Sequence, residues 1–306
     1  MAMGLQERDV ISVLQRIFAT SDSRLRVGIG DDAAVIETQS QSLMSSDMAV
    51  EGVHFKLDWS SPFDIGRKIT AANVADILSM GGHCNYLTAS VALTGDETLD
   101  WIENLARGMK AEADKAGALI VGGDISRGPK VVISMTALGS SNSPILRSGA
   151  QVGDGIFLSS LSGWSAAGLE LLTKEISINS AEAEKAFSEF SAPTLDYEID
   201  FTRATAMTDI SDSILIQADQ IAEASGVQLA LDQALIAEAP EFQELSKLAD
   251  TLKVDVFRWI LAGGEDHVLL ATGHELPGIR IGSVVAGSGV SGVKNKMAPV
   301  SWSHFS

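Results

Sequence analysis

The chain has 306 residues, of which 45% are hydrophobic and 20% charged, enough to bury a full core as one large or two ordinary domains. A formal net charge of -18 excludes the basic footprint that a nucleic-acid binder needs. No run approaches the roughly 20 apolar residues of a membrane span, residues 1–20 lack the pattern of a signal peptide, and the single cysteine, Cys84, leaves no internal disulfide, so a cytoplasmic protein is expected.

In chain order, residues 25–36 open as a strand that breaks at glycines, and residues 43–48 read as a second strand. Ser61 and Pro62 then supply an N-cap and a first-turn proline. The helix that follows sets Ile65, Ile69 and Ala72 toward the core, with Asn73, Asp76 and Met80 on a neighbouring stripe, and ends at Gly81-Gly82. Residues 86–93 form a strand. Leu99, Ile102, Ala106, Met109 and Ala113 space out an amphipathic helix leading to Gly117, after which strand 118–121 delivers Gly122-Gly123-Asp124 and strand 131–138 returns.

Composition shifts to Ser, Gly, Asn and Pro over residues 140–155, which sets the expected junction between an N-terminal α/β domain, 1–148, and a C-terminal α/β domain, 149–306. The second half repeats the alternation. Strand 155–160, helix 165–172, a polar helical segment 180–190, strand 206–210, helix 214–224, strand 227–231, helix 240–252 and strands 268–272 and 278–285 follow in turn.

Six acidic motifs set among small residues carry the chemistry: Gly30-Asp31-Asp32, Ser45-Ser46-Asp47, Asn73-Val74-Ala75-Asp76, Gly122-Gly123-Asp124, Asp209-Ile210-Ser211-Asp212 and Gly263-Gly264-Glu265-Asp266. Read as carboxylates in tight turns, mostly at strand ends, they suit Mg²⁺, which takes oxygen ligands and keeps waters and substrate phosphates in its shell. Any one of them could instead cap a helix or a turn. Six together point to a metal-bound polyphosphate.

Other chemistries fit less well. Residues 28–33 match a loose dinucleotide fingerprint, but two aspartates inside that turn would repel a bare pyrophosphate. No glycine-rich loop is followed by Gly-Lys-Ser/Thr, and five scattered histidines make no zinc set. Cys84 beside His83 reads as a buried thiol, and His54, beyond Asp47, as an ordinary histidine on its own.

The linking stretches are more specific: Ser46-Asp47-Met-Ala-Val-Glu-Gly-Val-His54-Phe55, Ala72-Asn73-Val-Ala-Asp76-Ile-Leu-Ser-Met80-Gly81, Gly122-Gly-Asp124-Ile-Ser-Arg127-Gly128 and Leu146-Arg147-Ser148-Gly149-Ala150. Through nearly its whole length the chain resembles the thiamine-monophosphate kinases, of the superfamily that includes aminoimidazole ribonucleotide synthetase, selenophosphate synthetase and a hydrogenase maturation protein. The resemblance implies a two-domain, aminoimidazole-ribonucleotide-synthetase-like α/β fold with mixed sheets flanked by helices, and a homodimer formed through strands of the N-terminal domain. It implies a reaction in which ATP, the co-substrate, phosphorylates thiamine phosphate to thiamine diphosphate, the last step in making that compound. Asp32, Ser45, Ser46, Asp47, Asp76, Asp124, Asp209 and Asp212 would then hold several Mg²⁺ ions. Gly123, Asp124, Arg147 and Ser211 would contact ATP, and His54, Glu265 and Trp302 would contact thiamine phosphate. Asp212, Asp124 and Arg147 would carry catalysis.

The chain departs from the family pattern in places. Ser213 stands where the family has glycine, and a positive φ there would strain the turn presenting Asp212. Ser191-Ala-Pro-Thr-Leu-Asp196 replaces a basic Arg-Pro-x-Pro-Arg stretch, His267 replaces tyrosine and Ser46 replaces threonine. A sister enzyme using ATP and Mg²⁺ on another acceptor, and a catalytically impaired nucleotide-binding homologue, are the alternatives.

Overall fold

The computed structural model describes residues 7–29, 34–38 and 41–293. Asp31, Asp32 and Trp302 lie outside the described residues. The chain divides into two units, one of residues 1–77 and 82–142 and the other of residues 78–81 and 143–306.

The first unit begins with α1 (Glu7–Ile17) and the short antiparallel pair β1 (Leu25–Val27) and β2 (Val35–Ile36). Its body is a four-stranded mixed sheet of β3 (Ser42–Val50), β4 (His83–Leu93), β5 (Leu119–Arg127) and β6 (Val132–Ser140), in the order β3-β6-β4-β5. Helix α2 (Pro62–Ser79) precedes β4, and α3 (Leu99–Ala116) makes the crossover between the parallel strands β4 and β5. Ser61 caps α2 by accepting the Asp64 N–H, and Thr98 caps α3 by accepting that of Trp101.

One face of the sheet is buried: Ile133, Met135 and Ala137 alternate along β6 with less buried residues. This face meets α2, because a Cβ added at Gly139 would come within 2.4 Å of the Ile77 side chain. The opposite face is open, with Met44 77% and Met48 55% exposed on edge strand β3. Helices α2 and α3 cross through two glycines. A Cβ on Gly108 would lie 1.9 Å from the Phe63 carbonyl oxygen, and one on Gly66 would lie 2.2 Å from that of Leu105.

The second unit is built on a six-stranded sheet of β7 (Gly155–Leu158), β8 (Ala206–Asp209), β9 (Gln228–Leu231), β10 (Leu269–Gly273), β11 (Ile279–Val285) and β12 (Gly289–Ser291). Its order is β12-β9-β11-β7-β10-β8, and only β12 and β9 pair in parallel. Helices α4 (Trp164–Thr173), α5 (Ala181–Ser191), α6 (Ile214–Ser225), α7 (Gln233–Ala237), α8 (Phe242–Leu252) and α9 (Val256–Ala262) complete it. The main core joins Ile156 and Leu158 of the sheet to Trp164, Leu171, Ile214, Ile221 and Trp259 of the helices.

The alternation read from the sequence corresponds to this mixed α/β architecture, with two local corrections. The acidic motifs do not mainly occupy turns: Ser45-Ser46-Asp47 lies inside β3, Asn73 to Asp76 inside α2 and Gly122-Gly123-Asp124 inside β5. Gly123 serves close approach rather than a bend, since a Cβ there would meet the Ala89 carbonyl oxygen at 1.8 Å. The feared strain at Ser213 is also absent. Its φ of 177° is ordinary extended backbone, and its hydroxyl caps α6 by accepting the Ile216 N–H. The stretch that replaces the basic motif is pinned by acids at both ends: Glu189 of α5 accepts from Thr194, and Asp196 accepts from the Glu198 and Ile199 N–H groups.

The helix crossing leaves no room for a side chain, so Gly108→Leu should lower the unfolding free energy by about 3 kcal/mol; a urea midpoint equal to that of the parent chain would contradict the crossing. Burial pushes the Cys84 thiol up to about 12, so the native protein should resist iodoacetamide at pH 8 and react only in denaturant. Rapid alkylation of the folded chain would contradict that burial.

Candidate active site

In the first unit, β3 and α2 bring part of the expected metal set together. The Ser45 hydroxyl donates to Asp76 Oδ2. The Asp47 N–H donates to the Asn73 carboxamide oxygen at 3.2 Å, while Asn73 Nδ2 donates to the Ile69 carbonyl, so this buried amide ties helix to strand. Ser45 and Asp47 alternate on one side of β3 and Ser46 falls on the other, its hydroxyl donating to the Met135 carbonyl and accepting from Thr136. Gly123 and Asp124 are not beside this group. Across the sheet Asp47 is level with Met135, Ala89 and Gly123, which sets the two edges about 14 Å apart at the usual strand spacing.

Beyond β3 the chain turns at Gly52, with φ of 80°, and the Val53 and His54 N–H groups both donate to the Val50 carbonyl. The Val50 N–H in turn donates to His54 Nδ1 at 3.0 Å. In the neutral ring this acceptor role puts the proton on Nε2. Glu51 fastens the turn from below, accepting the Val131 N–H at 3.0 Å.

A mostly apolar cavity of about 570 Å³ lies in this unit against β4 and β5. Val10, Leu14 and Phe18 close it on one side and Ile102, Ala106 and Met109 on another, and Gly122, Gly123 and Asp124 line its wall. The amphipathic α1 was not anticipated from the sequence, and neither was this cavity beneath it.

In the second unit five expected residues converge around the turn after β8. Arg147 Nε donates to the Thr208 hydroxyl at 3.3 Å. Asp209 and His267 form a buried pair, Nδ1 to Oδ2 at 2.9 Å, at 3% and 6% exposure. The Glu265 N–H donates to the Ser211 carbonyl at 2.7 Å, and the His267 N–H to that of Ile210 at 2.9 Å. Gly264 presses on the same turn, since a Cβ there would lie 2.4 Å from both the Ser211 and Asp212 carbonyl oxygens. Asp266 points away into the protein, accepting the N–H groups of Gly163 and Ser165 at the start of α4; burial raises its carboxyl to about 6 against those two bonds. The sixth motif thus splits into a carboxylate beside the turn and a structural one.

Gln217 was missed by sequence reasoning. It reaches back from α6 to Ser211, Asp212 and Ser213, and the available signal was a lone polar side chain on the helix face that carries Ile214, Ala218 and Ile221.

Among the described residues no three His, Cys, Asp or Glu side chains converge closely enough to hold a metal by themselves. The donor chemistry nevertheless suits Mg²⁺, which is usually bound by one or two carboxylates together with waters and substrate phosphates. Asp76 with Ser45 is an all-oxygen group of that kind, and Asp209 carries His267 Nδ1 on its Oδ2. No described helix is long and apolar enough to cross a membrane.

Comparison with known proteins gives this geometry a context. Residues 30–141 match the family described as AIR synthase related protein, N-terminal domain. The thiamine-monophosphate kinase of Corynebacterium glutamicum is 37% identical over 254 residues, covering 79% of this chain and 76% of that one. The crystal structure of thiamine-monophosphate kinase from Stenotrophomonas maltophilia superposes with a TM-score of 0.83 at 29% identity, covering 94% of this chain and 97% of the other. AaThiL complexed with AMPPCP and TMP superposes with a TM-score of 0.79 at 30% identity over 100% of both chains. Identity at this level, sustained through both units, places the chain in the thiamine-monophosphate kinase family.

Proposed function

We propose that this chain transfers the γ-phosphoryl group of ATP to the phosphate of thiamine phosphate, giving ADP and thiamine diphosphate. The observation that carries this reading is the full-length likeness to AaThiL, whose structure holds AMPPCP and TMP. Both substrates are anionic and the chain itself has a net charge of -18, so acidic side chains and phosphates can approach only with cations between them. When bound, Mg²⁺ would neutralise that charge and stabilise a loose, metaphosphate-like transition state. In the first unit Ser45, Asp47 and Asp76 would hold one ion and Asp124, on the far edge strand, another, and in the second unit Asp209 and Asp212 would hold theirs; Ser46, on the opposite side of β3, is not placed to join Ser45.

The remaining roles follow from the local chemistry. Arg147 is exposed, and the bond from its Nε to Thr208 leaves the two terminal nitrogens to grip phosphate oxygens as a fork. The cavity beside Gly123 and Asp124 offers apolar walls to the flat base of the nucleotide. His54, held by the Val50 N–H that its Nδ1 accepts, would contact thiamine phosphate. No strong general base is required, because the accepting phosphate oxygen is already anionic. The open sheet face bearing Met44 and Met48 is the surface through which two copies would pair. A cytoplasmic location fits the one buried thiol. The extended backbone at Ser213 removes one of the two reasons for suspecting an impaired homologue, and the stretch 191–196 without arginine is the other.

The purified protein supplied with Mg²⁺, ATP and thiamine phosphate should release ADP and form thiamine diphosphate, with free thiamine and an aminoimidazole-type acceptor as controls. ADP release with only another acceptor would favour the sister enzyme, and none with any acceptor the impaired one. Asp212→Asn should lower kcat by about 100-fold or more while the thermal midpoint stays near that of the parent. Near-normal turnover would remove Asp212 from the site.

A further inference from the structure

The side chain that aims the Ser211–Asp212 turn is Gln217. It is 1% exposed on α6, among Ile214, Ala218 and Ile221, which are fully buried. A carboxamide costs free energy in such surroundings unless its donors and acceptor are satisfied. Here every side-chain bond goes to one turn. Oε1 accepts the Ser213 N–H at 2.9 Å, and Nε2 donates to the Ser211 hydroxyl at 3.1 Å and to Asp212 Oδ2 at 3.3 Å. The orientation of the amide is dictated by these partners, because the flipped group would set an NH₂ against the Ser213 N–H.

The turn is therefore held from two sides that do different work. Glu265 and His267 fix the backbone carbonyls of Ser211 and Ile210, whereas Gln217 engages the side chains of Ser211 and Asp212. Its neutrality matters. A carboxylate at 217 could still accept from Ser213, but it would face Asp212 with like charge and offer no N–H to either partner.

We propose that Gln217 is a positioning residue for phosphoryl transfer, holding the Ser211 hydroxyl and the Asp212 carboxylate in the orientation that a cation-bound nucleotide requires. This rests on the placement of Ser211 and Asp212 in the active site given above. Gln217 does not touch substrate; it acts through its two partners.

The test compares Gln217→Met, close in size and apolar, and Gln217→Glu with the parent and with Asp212→Asn. Steady-state kinetics are read together with Mn²⁺ binding in the presence of ADP by calorimetry. Either Gln217 variant that folds should show kcat reduced about tenfold or more, an unchanged KM for thiamine phosphate, and Mn²⁺ affinity weakened by a similar factor, as expected for losing a hydrogen bond to a charged group. In the Asp212→Asn background, Gln217→Met should add little further loss of Mn²⁺ affinity. Parental kcat and Mn²⁺ affinity in a folded variant, or a lower thermal midpoint as its only change, would overturn the proposal while an inactive Asp212→Asn left the active-site reading standing. A fully active Asp212→Asn would overturn both.

Discussion

The loop that leads into β10 is stitched to the turn that leaves β8, and the placement of Asp209, Asp212 and Glu265 hangs on that seam. Two N–H groups, of Glu265 and His267, reach the carbonyls of Ser211 and Ile210, and the Ile210 N–H returns to Val268. The ladder between β8 and β10 is in effect prolonged beyond the strands, into the segments that carry Asp209, Asp212 and Glu265. The seam has a cost. Glu265 and His267 both sit at positive φ, 66° and 52°, a conformation that non-glycine residues hold only where neighbouring contacts over-determine it. Those contacts are the hydrogen bonds themselves, the Asp209–His267 pair and the close packing of Gly264.

The first unit solves the same problem by different means. Its carboxylates sit on regular elements, so their placement is set by register rather than by a braced turn. Asn73 fixes α2 against β3, and Asp76 then meets Ser45 because both lie on the side where strand and helix face each other. Sites on strands and helices are held more tightly than sites on loops. The glycine-bearing β5 contributes in a third way, since Gly123 lets its backbone lie hard against Ala89 and adds no side chain to the cavity wall at that point.

How much of this was legible depends on the kind of signal. The periodicity of Leu99, Ile102, Ala106 and Met109 marks α3 because the helix buries one stripe, and Ser61-Pro62 marks the start of α2 because capping is local chemistry. The secondary structure around Gly122-Gly123-Asp124 was not legible. Glycine permits both a bend and a close approach, and only the partner strand at Ala89 decides between them. Ser213 was misjudged for the same reason, since the φ it adopts is set by the seam and by Gln217 rather than by its neighbours in sequence. Asp266 and Glu265 are adjacent letters with opposite fates, one capping α4 from the interior and one beside the turn, and no spacing rule separates them. The short helices α7 and α9 escaped because so few residues carry little periodic signal.

Strand β3 pairs along its whole length with β6, from Ser42 with Ser140 to Val50 with Val132, and with no other strand of its sheet. During synthesis it must therefore wait while α2, β4, α3 and β5 emerge, carrying an unpaired edge and the apolar side chains of Met44 and Met48. Non-local pairing of this kind slows folding and leaves a sticky strand open to other nascent chains. The serines and the aspartate between those methionines also keep that waiting strand polar enough to resist premature association.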